Sequence, residues 1–342
     1  MQTTSLFSNV GILVRRSASL MVVSAVAACG GGGSGSSSAS AVSGTSLQSV
    51  YQKVNWGSNV TVSFPSSCSM TLVTNGLPNH AMPAYYLRPA AGVYTTVVAS
   101  TPSGFQLTVQ PNPDTANAST VTYNICPTKA ATSTTTGMGT IGMMISGGAL
   151  FNGAEATGVA AVGDNVSYTF VDSSGVTQTA SFIDPCSGHF TPASAGNLFH
   201  YHGLSSCVTA QVDTTGGPSH IIGIALDGFP IYGGRDVNGA VITVSQLDAC
   251  NGITSATPEF PNGAYHYVLP EGVTTLQSSL RCYSGSVSAA LLATAQDYGY
   301  CISVPSAVPV GDSRKRARSA SPGPRPSASV VAALARQDRH DG

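Results

Sequence analysis

The sequence predicts a mainly β protein, a sandwich-like antiparallel β domain with many loops, few short helices and disulfide bonds. Only 8% of its residues are Asp, Glu, Lys or Arg, against about 25% in an average soluble domain, and long surface helices depend on such residues. Polar and apolar residues alternate over 59–64, 119–123 and 165–170, as they do in half-buried strands. Gly and Pro interrupt the chain at short intervals, and residues 287–296 form at most one short helix.

The N-terminal segment has the features of a secretory signal peptide, which we predict over residues 1–28. Two arginines precede an apolar run at 20–28 that ends in small residues before Cys29. This run is too short to cross a bilayer, which needs about 20 apolar residues. Residues 26–29 resemble a lipobox, so we expect Cys29 to be acylated and to anchor the protein to a bacterial (outer) membrane, facing the periplasm or the cell surface. Ordinary cleavage without a lipid is the alternative.

Three regions follow the signal peptide. Residues 29–46 begin with the lipidated cysteine and continue as a Gly/Ser tether, of the kind that lets a domain stand off a membrane. Residues 47–305 form the folded β domain. Residues 306–342 are basic and rich in Pro, and we predict that this tail is disordered.

One short sequence pattern occurs twice in the folded domain, in two stretches that we call the echo segments. Residues 141–151 and 222–232 both read Ile-Gly, three apolar residues, a polar residue, Gly, two further residues, an aliphatic residue and an aromatic residue. A buried strand that runs into a Gly turn explains each copy. The echo suggests two related halves, at about 47–160 and 161–305.

Charge is distributed unevenly along the chain. The segment from Arg314 onward holds seven of the 14 basic residues, and Arg15 and Arg16 lie in the signal region, which leaves five basic residues against 13 acidic ones in the body between them. Nucleic-acid binding depends on basic residues that neutralise phosphates, so this balance argues against nucleic acid and favours cations. The expected partners are a lipid bilayer, through the acyl anchor, and a metal ion.

After Cys29 the chain has seven cysteines, and export to an oxidising compartment makes disulfides their default state. No Cys-x-x-Cys pair is present, which argues against a zinc-finger site. Cys186 and Cys207 suggest themselves as one pair, because their bond would close the segment with the richest group of histidines. Seven is an odd number, so one thiol is free, joins two chains or acts as a ligand. The disulfide candidates are Cys68, Cys126, Cys186, Cys207, Cys250 and Cys282.

Histidines provide the strongest chemical signal. Residues two apart in a strand point to the same face, so His200 and His202 present two imidazoles side by side, while Phe199 and Tyr201 face the opposite way. Such a pair is half of a typical site for zinc, copper or non-haem iron. A single histidine is more often structural, but two neighbouring imidazoles in one environment favour a metal ligand pair.

A further ligand must come from elsewhere in the chain. His189 is the first candidate, since it lies shortly before the pair, and His266, which lies between two tyrosines, is the second. Asp227 is the third candidate, as a ligand or as a carboxylate that supports one, because it is expected at a strand end before a Gly turn. The expected cofactor is a copper or zinc ion, with iron as a further option.

An ordered series of motifs resembles the YHYH-domain protein family and covers most of residues 60–285. The signature reads Phe-His-Tyr-His-Gly, with Phe199 in place of the family's first Tyr, which leaves both histidines present. A later block reads Tyr-His-Tyr-Val, with Val268 where the family tends to have a second His. The resemblance implies a domain type and no particular reaction. The motifs that carry it lie at 75–80, 184–189, 199–203 with Cys207, 219–223, 227–233, 247–252 and 265–267.

Three hypotheses about function follow from these features. The first is a metal-binding protein at the cell surface or in the periplasm. The second is a metal-dependent enzyme, such as a hydrolase or oxidase, with an open coordination position. The third is a structural or adhesive surface domain whose histidines only pack. The sequence lacks Gly-x-Ser-x-Gly and His-Glu-x-x-His, which argues against a nucleophile elbow and against the common metalloprotease helix.

Overall fold

The structure is a computed structural model, and it describes residues 44–89, 105–110, 117–155, 158–163, 165–192 and 195–296. The chain divides into two units, Met1–Gly299 and Tyr300–Gly342, and every described residue lies in the first. The predicted signal peptide, Cys29, most of the tether, Cys301 and the basic tail lie outside the described residues.

The described residues form mostly short strands, so the prediction of a mainly β protein is confirmed. The helices are α1 Gln48–Tyr51, α2 Ser206–Thr209 and α3 Ala289–Gln296, with short 3-10 helices at Val244–Gln246 and Leu276–Ser278. The strands are β1 Val60–Ser66, β2 Ser69–Thr74, β3 Tyr85–Pro89, β4 Phe105–Val109, β5 Ser119–Asn124, β6 Lys129–Thr135, β7 Gly142–Met144, β8 Ala149–Leu150, β9 Ser167–Val171, β10 Thr177–Ser181, β11 Gly188–Phe190, β12 Phe199–Tyr201, β13 Ile221–Ala225, β14 Pro230–Tyr232, β15 Gly252–Ser255, β16 Ala264–Val268 and β17 Cys282–Gly285.

The strands predicted from alternation are present. Residues 59–64 fall on β1, residues 119–123 on β5 and residues 165–170 on β9. The short helix expected within 287–296 is α3. Local alternation predicts these strands well, because each of them exposes one side and buries part of the other.

The strands assemble into four sheets. Their orders are β1-β2-β5, β4-β3-β10-β9, β17-β6 and β11-β12-β8-β7-β13-β14-β16-β15. Most neighbouring strands are antiparallel, as predicted, while β3 with β10, β8 with β12 and β14 with β16 are parallel. The eight-stranded sheet is therefore mixed, and it carries the features that matter for function.

This eight-stranded sheet also carries the main hydrophobic core. Every residue of β13 and β16 is buried, as is usual for strands that are covered on both faces. Leu72 of β2 and Tyr123 of β5 belong to the same core, so the three-stranded sheet packs against the large one. The four-stranded sheet has a smaller core around Leu87, Leu107 and Phe170.

Three disulfides join the six cysteines that the sequence offers as candidates. The pairs are Cys68–Cys126, Cys186–Cys207 and Cys250–Cys282, and the second is the pair suggested from the sequence. Disulfides restrict the unfolded chain and persist in oxidising compartments, so these bonds point to an exported protein. No helix within the described residues is long and apolar enough to cross a membrane.

Candidate metal centre

A cluster of three histidines lies on β11 and β12, at one end of the strand order of the large sheet. His189 and His200 are direct partners in the antiparallel β11–β12 ladder, and directly opposed residues share a face of the sheet. His202 follows two residues after His200 and returns to that face. Its backbone N–H donates to the carbonyl of Ser187 over 3.0 Å, which continues the pairing beyond β12. The register of one hairpin thus brings three imidazoles together.

The three rings direct their Nε2 atoms at one another. His202 Nε2 lies 3.0 Å from His189 Nε2 and 3.0 Å from His200 Nε2. The ligand atoms of all three residues lie within 4.8 Å of one another, so the cluster could hold a metal ion. None of the three residues is more than 7% exposed. His189 therefore joins the predicted pair, as its first rank among the candidates anticipates.

The far ring nitrogens of two histidines show where their protons lie. His200 Nδ1 is 3.1 Å from the carbonyl oxygen of Leu198, and His202 Nδ1 is 2.6 Å from that of Asn152. A carbonyl oxygen can only accept, so each Nδ1 carries the proton, and Nε2 of the neutral ring is a bare lone pair. Lone pairs that face each other repel, and a metal ion about 2.0–2.1 Å from each nitrogen would remove that repulsion. Hydrogen bonds from the far nitrogen to carbonyls are also usual for metal-binding histidines.

Aromatic rings hold the imidazoles in this orientation. Phe151 stacks on His200, with ring centroids 3.9 Å apart and an angle of 26° between the planes. Phe182 meets His189 edge-on, with centroids 4.7 Å apart. This packing limits rotation of both rings, so the convergent arrangement is built before any ligand arrives.

Glu155 lies beside the three histidines, although no pattern in the sequence singles it out. Its Oε1 atom lies 3.1 Å from His202 Nε2 and 3.4 Å from His189 Nε2. Within the described residues this buried oxygen has no hydrogen-bond partner, although the side chain as a whole is 23% exposed. Glu155 follows β8 in a turn where its N–H donates to Val159 over 2.9 Å. The only signal in the sequence was the scarcity of acidic residues.

The opposite face of β12 is apolar and well packed, as the strand pattern predicts. Phe199 and Tyr201 are fully buried, and their rings meet edge-on with centroids 5.1 Å apart. The Tyr201 hydroxyl lies 2.9 Å from Ser146 Oγ and 2.6 Å from His80 Nε2. These contacts fix the strand from behind, so the imidazoles on its front face keep their places.

A tight turn before β11 determines where this strand begins and therefore where His189 lies. Asp184 Oδ1 accepts hydrogen bonds from the N–H groups of Cys186 at 2.8 Å and Gly188 at 3.0 Å, a common pattern for Asp in turns. Ser187 adopts a positive φ of 63° inside this turn. The disulfide from Cys186 then ties the turn to Cys207 on α2, just after the cluster. The motif Asp-Pro-Cys-Ser-Gly-His therefore acts as the support of the site.

Burial controls the charge of the cluster. It lowers the pKa of His189, and it lowers the pKa of His200 well below the usual value, with the neighbouring imidazoles adding to the effect. Burial alone would raise the pKa of Glu155, but the neighbouring imidazoles, His189 foremost, hold it well below its usual range. Near neutral pH His189 and His200 are therefore neutral and Glu155 is a carboxylate, and those are the protonation states that metal binding needs.

His266 and Asp227, the other ligand candidates, are not members of this cluster. His266 is buried on β16, where its Nδ1 donates to the carbonyl of Ala264 over 3.0 Å. Asp227 accepts hydrogen bonds from the Tyr267 hydroxyl at 2.5 Å and the Gly285 N–H at 2.8 Å. Burial raises the pKa of Asp227 to about 6. Both residues therefore have hydrogen-bond partners of their own outside the cluster.

A second group of ligand-type residues consists of His80, Cys186 and Cys207, whose ligand atoms also lie within 4.8 Å of one another. The two cysteines are bonded to each other. Thiolates, and not disulfide sulfurs, are the metal ligands that cysteine supplies. In the oxidised protein this group is therefore a covalent support next to the histidine cluster.

The fold and the cluster define a disulfide-bonded β domain with a buried three-histidine centre. A family model described as YHYH protein matches residues 120–244 and 236–285. This match includes β11, β12 and every residue of the cluster, and the chain belongs to the YHYH protein family. Searches of curated proteins and of solved structures found no match.

We expect the buried histidines to make the metal-free protein sensitive to acid. Burial lowers the pKa of His189 and His200, while in the unfolded chain the pKa of histidine is about 6.5. Their contribution to the unfolding free energy is therefore complete above about pH 6.5 and is lost as pH falls toward the lowered values, by up to about 1.4 kcal/mol per pH unit for each proton. Asp227 acts in the opposite direction, because its folded pKa is raised.

The measurement is urea denaturation of the chelator-treated wild type and of His200→Gln, between about pH 5 and 8. The unfolding free energy of the variant is subtracted from that of the wild type at each pH. This removes the contribution of Asp227, which both proteins retain. The wild type should lose stability relative to the variant as pH falls below about 6.5. A difference that does not change with pH would show that His200 is not held neutral by burial.

Proposed function

We propose that this YHYH-family protein binds one transition-metal ion through His189, His200 and His202, with Glu155 as a fourth ligand. The observation that carries the proposal is the convergence of three buried Nε2 atoms, two of them 3.0 Å from the third. In a merely structural role, the Nε2 lone pairs of neutral His200 and His202 would face each other over 3.0 Å with no proton between them. A bound ion gives each of them a partner.

The donor set favours zinc or copper(II). Three imidazoles and one carboxylate match the ligands and the fourfold coordination that zinc takes in proteins, and imidazole also suits copper and iron. No thiolate belongs to the set, since Cys186 and Cys207 form a disulfide. The softer copper(I) ion, which prefers thiolate and thioether ligands, is therefore a poorer match.

A metal-dependent hydrolase or oxidase is the second candidate function, and the partial exposure of Glu155 favours it. Catalytic zinc sites keep three protein ligands and leave the fourth position to water. The Glu155 side chain is 23% exposed, while those of His189 and His202 are 8% and 2% exposed. If water took the fourth position, the Glu155 carboxylate would lie beside it and could accept its proton. The role of Glu155 thus separates a binding protein from an enzyme.

We also propose that the domain works outside the cytoplasm on a lipid anchor. The three disulfides support export. The apolar run before Cys29 and the Gly/Ser tether after it support acylation of that cysteine. The anchor would hold the metal centre near a membrane surface and leave the domain free to move on its tether.

We expect the double substitution His200→Ala, His202→Ala to abolish tight binding of zinc and copper(II). Loss of ligands should lower the affinity by more than about 100-fold, the upper end of what changes around the ligands usually cost. The measurement is isothermal titration calorimetry on the full-length chain, with metal content checked by elemental analysis. His266→Ala is the matched control, since His266 is also a buried histidine but lies outside the cluster. Equal binding by the wild type and a folded double variant would contradict the proposal.

The substitution Glu155→Gln should distinguish a fourth ligand from a catalytic base. As a ligand, Glu155 would be replaced by a neutral amide, and zinc affinity should fall by more than the roughly 10- to 100-fold that changes around the ligands cost, while the three imidazoles still bind. As a base, it could be replaced without loss of affinity, and only turnover of a hydrolysable ester would fall. Glu259→Gln is the control, because the Glu259 side chain is also 23% exposed and lies beside a histidine, His220.

Replacement of the predicted lipidation site should release the protein from membranes. In Cys29→Ser the thioether-linked acyl chains cannot form, so the protein should move from the membrane fraction to the soluble fraction after cell lysis. The measurement is fractionation followed by immunoblotting, with Cys301→Ser as the control cysteine change. Unchanged membrane association of Cys29→Ser would contradict the lipoprotein proposal.

A further inference from the structure

The eight-stranded sheet is built of two matching groups of four strands. The first group has the spatial order β11-β12-β8-β7 and the second has β15-β16-β14-β13, and the groups meet where β7 and β13 pair antiparallel. Along the chain, each group begins with a hairpin, β7–β8 or β13–β14. A second strand pair follows, β11–β12 or β15–β16, and its second strand runs parallel to the second strand of the hairpin. The two echo segments of the sequence are these two hairpins.

The turns that lead into β11 and β15 match in detail. Asp184 Oδ1 accepts from the N–H groups two and four residues later, at 2.8 and 3.0 Å, and Asp248 Oδ1 does the same at 2.9 and 2.8 Å. The residue two positions after each aspartate is a disulfide cysteine. The next residues, Ser187 and Asn251, have positive φ values of 63° and 66°. The two turns therefore match in their hydrogen bonds, their backbone conformation and the position of a disulfide cysteine.

The glycine after each turn packs against an aromatic ring in the same way. A Cβ atom on Gly188 would lie 2.4 Å from the Phe199 ring, and one on Gly252 would lie 2.3 Å from the Tyr265 ring. Both positions therefore exclude any side chain. In each case this aromatic residue directly precedes the central histidine of its strand, which is β12 in the first group and β16 in the second.

The tyrosine after that histidine also repeats its contact. The Tyr201 hydroxyl lies 2.9 Å from Ser146 Oγ, and the Tyr267 hydroxyl donates to Asp227 Oδ2 over 2.5 Å. Ser146 and Asp227 occupy the same place in the two echo segments. The hairpin turn and the parallel strand are therefore joined by equivalent bonds in both groups.

The central histidines, His200 and His266, have equivalent surroundings. Each donates from Nδ1 to the carbonyl two residues earlier, over 3.1 and 3.0 Å. Each ring also packs against the aromatic residue that ends its echo segment, Phe151 at 3.9 Å or Tyr232 at 4.7 Å between centroids. His266 is thus the counterpart of a residue that we propose as a metal ligand.

The turn that carries Glu155 has a counterpart as well. The N–H of Glu155 donates to the carbonyl four residues later over 2.9 Å, and the N–H of Asp236 does the same over 2.8 Å. A single antiparallel bridge closes each turn, between Ala154 and Ala160 or between Arg235 and Val241. Asp236 therefore occupies the chain position that corresponds to Glu155, and its Oδ1 accepts hydrogen bonds from N–H groups of its own turn.

We infer that the sheet is an internal duplication of residues 141–202 and 222–268, and that the second repeat contains a degenerate copy of the metal centre. This inference rests on the proposed function of the first repeat. In the second, the retained imidazole is His266, and the counterparts of His189, His202 and Glu155 are Ile253, Val268 and Asp236. The repeat units differ from the halves expected from the sequence, which met at residue 160.

Two apolar replacements explain why the chain holds one ion and not two. Ile253 is the direct ladder partner of His266, as His189 is of His200. Val268 follows His266 by two residues and lies on the same face of the strand, where it is fully buried. One imidazole and one carboxylate cannot form the four-ligand set that the first repeat offers, so the second position is left without metal.

The test is to rebuild the second site with Ile253→His and Val268→His in the full-length chain. Zinc bound per chain is measured by elemental analysis after equilibration and gel filtration, and folding is checked by thermal melting. The expected result is one ion in the wild type and two in the rebuilt variant. In the His200→Ala, His202→Ala background, the same two substitutions should give a protein that binds one ion. Binding of that ion should require His266.

A folded rebuilt variant that binds no more zinc than its parent overturns the inference. If the wild type binds none and the rebuilt variant binds one, the proposed function fails while the duplication stands. Because Val268 is buried and its replacement can prevent folding, the single variant Ile253→His provides a second test at a partly exposed position. It should gain a weaker copper(II) site that His266→Ala removes, and the absence of that site in the folded protein would also overturn the inference.

Discussion

The structure around the candidate site depends on one constraint, the burial of three imidazoles whose Nε2 atoms converge. A buried polar atom that lacks a hydrogen bond costs on the order of 2–7 kcal/mol in an apolar setting. When His200 and His202 are neutral, their Nδ1 atoms carry the protons, so no proton lies between their Nε2 atoms. Protonation is an expensive remedy, because burial lowers the pKa of His189 and His200. A metal ion removes the repulsion and needs neither ring to be charged. The neighbouring carboxylate of Glu155 then balances part of the ion's charge.

The fold supplies this arrangement through long-range pairing. The β11–β12 register aligns two of the imidazoles, and the parallel pairing of β8 with β12 brings the segment with Asn152 and Glu155 to their side. The Asn152 carbonyl orients His202, and Glu155 closes the cluster. The disulfide between Cys186 and Cys207 brackets the hairpin. The same sheet holds a second, altered copy of the site. The first copy has the complete set of ligands, and the second has lost two of its histidines.

Local patterns predicted those parts that local physics determines. Alternation located β1, β5 and β9, and the period of two placed His200 and His202 on one face, with His189 as the leading third ligand. Glu155 could not be found in this way, because it reaches the cluster through a parallel pairing between strands far apart in sequence. His266 is a candidate because of its aromatic-His-aromatic pattern, and the repeat explains that pattern, since the same strand occurs twice. The sequence shows that Val268 replaces one histidine of the second copy, but it does not show that Ile253 stands opposite His266, because that pairing depends on the register of β15 and β16.

X-ray absorption spectroscopy at the zinc K edge, on full-length protein loaded with one equivalent of zinc, would identify the atoms that bind the ion. If His189, His200 and His202 hold the ion, the first shell should contain only nitrogen and oxygen, at about 2.0–2.2 Å, with outer-shell scattering from three imidazoles. Substitution of Glu155 by Gln should leave that imidazole scattering unchanged. Sulfur at about 2.3 Å, or scattering from fewer than two imidazoles, would contradict a centre built on His189, His200 and His202.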